Sequence, residues 1–189
     1  MKLLIASNNC HKIEEIKSIL DGKFEQILSL GEANISCDPD ENGTTFEENA
    51  LIKATEISKL TNMAVLADDT GLCVDALGGA PGVFSARYAG NHDHAANRKK
   101  LLKELQGKTN RNAHFETAIA LIYPNGKAIT SIGEVNGTIT ECEVGVNGFV
   151  YDSIFFCTEL KKTFGEATAE EKNAVSHRAR ALQNLLEKL

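Results

Sequence analysis

Apolar positions along the chain alternate between short unbroken runs and stretches at helical spacing. Residues 2–6 (KLLIA) form a run that predicts a buried strand. Ile13, Ile16, Ile19 and Leu20 then recur at the period of a helix over 12–21, with Gly22 as its stop. The chain therefore opens strand, polar loop, helix, and the loop reads SNNCHK (7–12). Thr45-Phe46-Glu47-Glu48 has the T-x-x-E form of a capping box, and Phe46, Ala50, Ala54 and Ile57 follow on one helix side. Residues 63–67 (MAVLA) predict a second buried strand, expected to stop at Asp68, Asp69, Thr70 and Gly71. Ala95, Leu101, Leu102 and Leu105 predict a helix over 93–106, with Gly107 just past its end. Segments 113–123 and 127–135 read as strands around the turn Pro124-Asn125-Gly126, and a third strand is expected within 138–144. A second capping box, Thr168 to Glu171, opens helix-like sequence to the C-terminus, with Val175, Leu182, Leu185, Leu186 and Leu189 as its apolar side. Strand–helix alternation with an antiparallel insert predicts an α/β fold, a mixed β-sheet flanked by helices, in a single domain over 1–189.

Composition narrows the function. With 42% hydrophobic and 24% charged residues, the chain is neither disordered nor fibrous. No apolar run approaches the ~20 residues of a membrane span, and the apolar stretch at the N-terminus is too short for a secretory signal. A net charge of −6 argues against a nucleic-acid partner but leaves room for a small anionic ligand where a few cations are focused. The five cysteines (Cys10, Cys37, Cys73, Cys142, Cys157) are scattered without a C-x-x-C pair. They are expected to be reduced thiols of a cytoplasmic protein, most of them small hydrophobes in the core.

Two adjacent carboxylates after an apolar strand are the strongest chemical signal. Like charges repel and their desolvation is costly, so Asp68 and Asp69 imply a cation. Neighbouring residues of an extended chain point to opposite sides, so the two can take different partners. With another acid, for which 37–49 offers Asp38, Asp40, Glu41, Glu47 and Glu48, they could hold Mg²⁺ through oxygen ligands. Asp-Asp-Thr-Gly is also good turn chemistry. The SNNCHK loop offers free N–H groups and a positive helix end to a phosphate, with Lys12 adding charge, or is an ordinary strand-to-helix turn. Residues 71–90, rich in glycine and carrying Arg87, suit a tight irregular path. Lys172, His177, Arg178 and Arg180 cluster in EEKNAVSHRARAL (170–182), where either one helix continues or Ser176 caps a new one. His92 and His94 lack a third partner at a metal-motif spacing.

Five segments together, SNNCHKIEEI, GTTFEENALIKA, LADDTGLCVDALGGAPGVFSARYAG, GFVYDSIFF and EEKNAVSHRARAL, resemble the Ham1, or inosine triphosphate pyrophosphatase, family from Leu4 to Leu185. The resemblance implies a two-lobed fold with a central substrate cleft, a homodimer, and Mg²⁺-dependent hydrolysis of ITP, dITP and XTP to the monophosphate and pyrophosphate. It places Ser7, Asn8, Asn9, Cys10, His11 and Lys12 at the triphosphate, with Lys53 and Arg87 nearby. Glu41, Asp68 and Asp69 match the metal-holding positions, Asp69 the general base, and Thr70 a substrate contact. Phe149, Val150, Tyr151, Asp152, Lys172, His177 and Arg178 match nucleoside-binding positions. The sequence departs from the family pattern at Asn8 and Val150, which replace glycines, and at Ser153, which replaces a proline.

On this reading Asp69 deprotonates water for attack at the α-phosphate. His177 and Arg178 donate to the O6 acceptor of hypoxanthine or xanthine, where adenine carries a donor, while Phe149 or Tyr151 stacks on the ring. Two other readings are a metal-dependent phosphatase or phosphodiesterase releasing orthophosphate, and a nucleotide sensor without turnover.

Overall fold

The computed structural model describes residues 1–90 and 93–189; His92 lies outside the described residues. Its strands are β1 (Lys2–Ile5), β2 (Gln26–Ser29), β3 (Ala64–Val74), β4 (Asn112–Ile122), β5 (Ala128–Ile139), β6 (Phe155–Cys157) and β7 (Lys162–Thr163). They form one sheet in the order β2-β1-β3-β4-β5-β6-β7. β1 pairs parallel with β2 and β3, whereas β6 pairs antiparallel with β5 and β7, so the sheet is mixed, as expected. The helices are α1 (Cys10–Ile19), α2 (Phe46–Ser58), α3 (His94–Glu104), α4 (Ala169–Val175) and α5 (His177–Leu186). Among the described residues no helix is long and apolar enough to cross a membrane.

The chain forms two compact units, one of residues 1–69, 117–133 and 178–189, the other of 70–116 and 134–177. In the first, Leu3, Ile5, Ala64 and Leu66 meet Ile16, Leu20, Leu182 and Leu185, which ties β1 and β3 to α1 and α5 through one apolar layer. Asn9 caps α1, its side chain accepting from the Lys12 N–H at 3.3 Å. Thr45 and Glu48 form the expected capping box on α2. The buried face of α2 carries Phe46, Asn49, Ala50, Lys53, Ala54 and Ile57, so two polar side chains share an otherwise apolar stripe. In the second unit, Leu72, Val74, Phe115, Val135, Tyr151, Phe155 and Phe164 form the core, with Leu101 and Leu105 packing on it from α3 and its C-terminal cap.

The structure corrects three expectations and decides between two options. β3 does not stop at the aspartates but runs on to Val74. Asp68 and Asp69 have buried partners within the fold, and Leu72 and Val74 beyond them are buried in the second core. No strand of its own occupies 138–144; β5 itself extends to Ile139, and its next partner is β6, with Gly137 opposite Cys157. Arg111 donates to the Ile139 and Thr140 carbonyls, both at 2.6 Å, at the end of β5. A Cβ on Gly137 would overlap the Phe156 carbonyl and the Phe155 ring, so the close approach of β6 needs glycine. Of the two options for 170–182, the chain takes the new helix: it breaks at Ser176, whose backbone is extended; Val175 packs in the second core, Leu182 and Leu185 in the first, and Leu189 is exposed. Finally, all five cysteines are free, but only Cys157 is buried.

Candidate active site

Alternation along β3 separates the two aspartates. Asp68 continues the Ala64–Leu66 row toward α1 and α5, and Asp69 continues the Val65–Ala67 row. Asp68 Oδ2 receives Lys12 Nζ at 3.1 Å and Arg178 Nε and Nη2 at 3.2 and 3.1 Å. Arg178 is wholly buried and also pairs with Glu15. Asp69 Oδ2 accepts from Asn49 Nδ2 at 3.0 Å, and its Oδ1 lies 3.7 Å from Lys53 Nζ. The same ammonium is 2.9 Å from Glu41. Asn49 and Lys53 reach Asp69 together because they stand one helical turn apart on α2.

These contacts set the charge states. Burial pushes the Asp68 carboxyl up, but Lys12, Arg178 and Lys53 outweigh it and hold the group well below the usual carboxylate range. For Asp69 burial prevails over Lys53 and Lys12, with Glu41 acting in the same sense, and its proton affinity is raised. Burial lowers the Lys12 ammonium more than Asp68 raises it. It would lower Lys53 too, but Asp69, Asp68 and Glu41 raise that group above its ordinary value. Among the described residues, these ion pairs set Glu15, Glu41, Asp68 and Asp69 against Lys12, Lys53 and Arg178, four carboxylates to three cations. Glu41 and Asp69 already converge on one cation, the Lys53 ammonium. This hard-oxygen donor set fits Mg²⁺. Glu41, Asp68 and Asp69 are the residues that could hold it.

Of the first loop, Ser7 Oγ accepts from the Asn9 N–H at 3.2 Å, while Asn8, Cys10 and His11 are exposed around the start of α1. Thr70 follows Asp69 in β3 and is half-buried. In the second unit, Asp152 Oδ2 accepts from the Phe149 N–H and from Lys172 Nζ, both at 2.8 Å. A Cβ on Gly148, at φ +75°, would overlap that carboxylate. The Lys172 ammonium also stands 4.7 Å from the centroid of the Phe149 ring. His177 is stacked on Phe115 at 4.7 Å. Tyr151 is buried, its hydroxyl donating to the Ser85 carbonyl at 2.8 Å, which leaves half-buried Phe149 as the accessible ring of the two. Val150 is half-buried at φ +54°. Arg87 has a different partner, its guanidinium 5.2 Å from the centroid of the exposed Phe84.

The structure thus gathers Lys12, Asp68 and Arg178, then Glu41, Lys53 and Asp69, and separately Phe149, Asp152 and Lys172. Sequence reasoning missed Glu15 and Asn49. Asn49 carries a signal, a polar side chain in the buried register of an amphipathic helix; Glu15 sits three residues after Lys12, where an inward carboxylate cannot be told from a solvated one.

The sequence profile of the Ham1 family matches residues 3–188. The chain belongs to the Ham1 family. It is 50% identical to a dITP/XTP pyrophosphatase from Leuconostoc mesenteroides, covering 100% of this chain and 96% of that protein. It is 48% identical to a dITP/XTP pyrophosphatase from Clostridium perfringens, covering 100% and 97%. Among solved structures it superposes on the Ham1 protein of Staphylococcus aureus with a TM-score of 0.88 at 40% identity, over 100% of this chain and 99% of the other. A HAM1 protein from Coxiella burnetii gives a TM-score of 0.89 at 37% identity, over 100% of both chains. The mixed α/β sheet described here is therefore the fold of this Ham1 family chain.

Proposed function

We propose that this chain hydrolyses ITP, dITP and XTP to the monophosphate and pyrophosphate. The observation that carries the reading is the pair of buried carboxylates in mid-strand, with Glu41 beside them and Lys12, Lys53 and Arg178 gathered on them. Relatives 50% and 48% identical over the whole chain are dITP/XTP pyrophosphatases, which supports it.

In this reading the start of α1 and the ammonium groups of Lys12 and Lys53 bind the triphosphate. Glu41 and Asp69, with Asp68 beside them, hold Mg²⁺, which supplies charge neutralisation at the phosphate oxygens when bound. Asn49 fixes the Asp69 carboxylate, and burial raises its proton affinity, as a general base requires. Asp69 takes a proton from water as the water oxygen bonds to the α-phosphorus, and the bond to pyrophosphate breaks with its electron pair leaving on pyrophosphate. Arg178, held by Glu15, keeps Asp68 ionised. Arg178, expected as an O6 donor, is instead wholly buried on Asp68 and Glu15, so Lys172, His177 and Phe149 are assigned to the purine, the donors facing O6 and the ring stacking on it. A homodimer in the cytoplasm belongs to the same proposal, and the free thiols support a reducing compartment.

The test is hydrolysis of ITP beside ATP and GTP, with Mg²⁺ and with EDTA, resolving pyrophosphate from orthophosphate. The expected result is IMP and pyrophosphate, preferring ITP and lost in EDTA. Orthophosphate release would turn the reading toward a phosphatase, and tight binding without product toward a sensor.

A further inference from the structure

Val150 is a β-branched residue at φ +54°, a conformation such side chains avoid. A strained residue persists only where its surroundings over-determine it. Here the surroundings are the second core, on which the Val150 side chain packs, and a guanidinium that takes its carbonyl. Arg98 Nη1 donates to the Val150 carbonyl at 2.8 Å, and Arg98 Nε lies 3.0 Å from Glu143 Oε2. That carboxylate also accepts from Ser153 Oγ at 3.1 Å. Arg98 thus grips the loop at Val150 directly and at Ser153 through Glu143, on either side of Tyr151 and Asp152. Its own base is fixed, because the neighbouring Asn97 accepts from the Ala89 N–H at 2.6 Å and donates to the Ala86 carbonyl at 3.0 Å, fastening α3 to the preceding segment.

We propose that Arg98 is a positioning residue that clamps Val150 in its left-handed conformation and thereby holds the 149–152 loop in shape for the nucleoside. The inference rests on the assignment of that loop to purine recognition. The planar fork of Arg serves two directions at once, which a lysine ammonium on a flexible stem does not reproduce. Glycine adopts positive φ without a clamp. Loss of Arg98 should therefore matter only while position 150 is strained.

The experiment is a double-mutant cycle of Arg98→Ala and Val150→Gly, read in KM and kcat for ITP and in Tm. In the wild-type background Arg98→Ala should raise KM about tenfold, with kcat changed less; in the Val150→Gly background the same change should stay below about threefold. Arg98→Lys should resemble Arg98→Ala, and it stands in if the alanine variant fails to fold. Equal KM effects of Arg98→Ala in both backgrounds, or wild-type behaviour of Arg98→Lys, overturns the clamp. If the wild-type protein turns over no ITP, the nucleoside assignment fails, and the clamp is judged by Tm alone, where additive shifts overturn it.

Discussion

Asp69 and Arg178 ask opposite things of burial. Asp69 is buried so that a carboxylate becomes a better base, and its orientation rests on Asn49. Asp69→Asn keeps an oxygen to accept from Asn49 and leaves Lys53 paired with Glu41, so the fold should persist while turnover falls by about 10²–10⁴. Steady-state rates with circular dichroism as control decide it, and near-normal turnover rules Asp69 out as the base. Arg178 is buried as one cation between Glu15 and Asp68. Removing it takes the guanidinium from both carboxylates and leaves Asp68 to Lys12, so Arg178→Met should cost about 3–5 kcal/mol in urea unfolding. Arg178→Lys should recover only part of this, since one ammonium cannot span both acids as the guanidinium fork does. A loss under 1 kcal/mol for the Met variant, a threshold well below ~3 kcal/mol, would mean water replaces the ion pair.

At the scale of elements, the β4–β5 hairpin carries a built-in repulsion. Tyr123 N–H donates to the Lys127 carbonyl near the turn, and Ile139 N–H to the Arg111 carbonyl at the far end. The two bonds share one register, which sets Glu116 opposite Glu134, with His114 near enough that one ligand atom from each of the three lies within 4.8 Å of the others. Burial first and Glu134 second raise the Glu116 carboxyl, against His114. A carboxyl raised in the folded state binds more protons there than when unfolded, so the hairpin loses stability as pH climbs through the carboxylate range. Glu134→Gln should therefore raise stability at pH 7 by about 0.2–1 kcal/mol, toward the low end because Glu134 is exposed, and the gain should vanish below pH ~4. A variant less stable than wild type at pH 7 would show that Glu134 holds something favourable instead. Hairpin, capping boxes and helix faces were all legible in the sequence, because their signals are local: a turn between two apolar runs, a T-x-x-E, a 3.6-residue period. The length of β3 was not legible. Asp-Asp-Thr-Gly reads as a stop until Lys12, Arg178, Asn49 and Lys53 are known to meet it from three other elements. The break at Ser176 was legible only as one of two options, since either side of it has helical composition. Val150 showed in the sequence as a departure from a glycine, but the partner that pins it is 52 residues away.

For the whole molecule, the uneven charge count at Asp68 and Asp69 makes a thermodynamic claim that needs no substrate. Among the ion pairs given above for the described residues, four carboxylates face three cations, whereas the unfolded chain spreads those charges apart. Mg²⁺ should bind the native state and raise the thermal midpoint as its concentration passes the dissociation constant, reaching about 2.7 kcal/mol at a hundredfold excess over it. Glu41→Gln removes one of the two carboxylates that converge on Lys53, so it should weaken the Mg²⁺ response. A control such as Glu32→Gln should leave that response intact, since Glu32 pairs with Lys17 on the surface and its carboxyl is pulled down to about 2 by the Lys17 and Ser29 hydrogen bonds. Because that pull is on the folded state, the control variant should differ from wild type above pH ~4.5 and converge on it as pH falls toward 2. Differential scanning calorimetry over a Mg²⁺ series separates the outcomes. A midpoint rising with Mg²⁺ in wild type and in the control, but less in Glu41→Gln, locates the bound cation at the Glu41–Asp69 pair. Equal responses in all three proteins would mean the cation binds elsewhere.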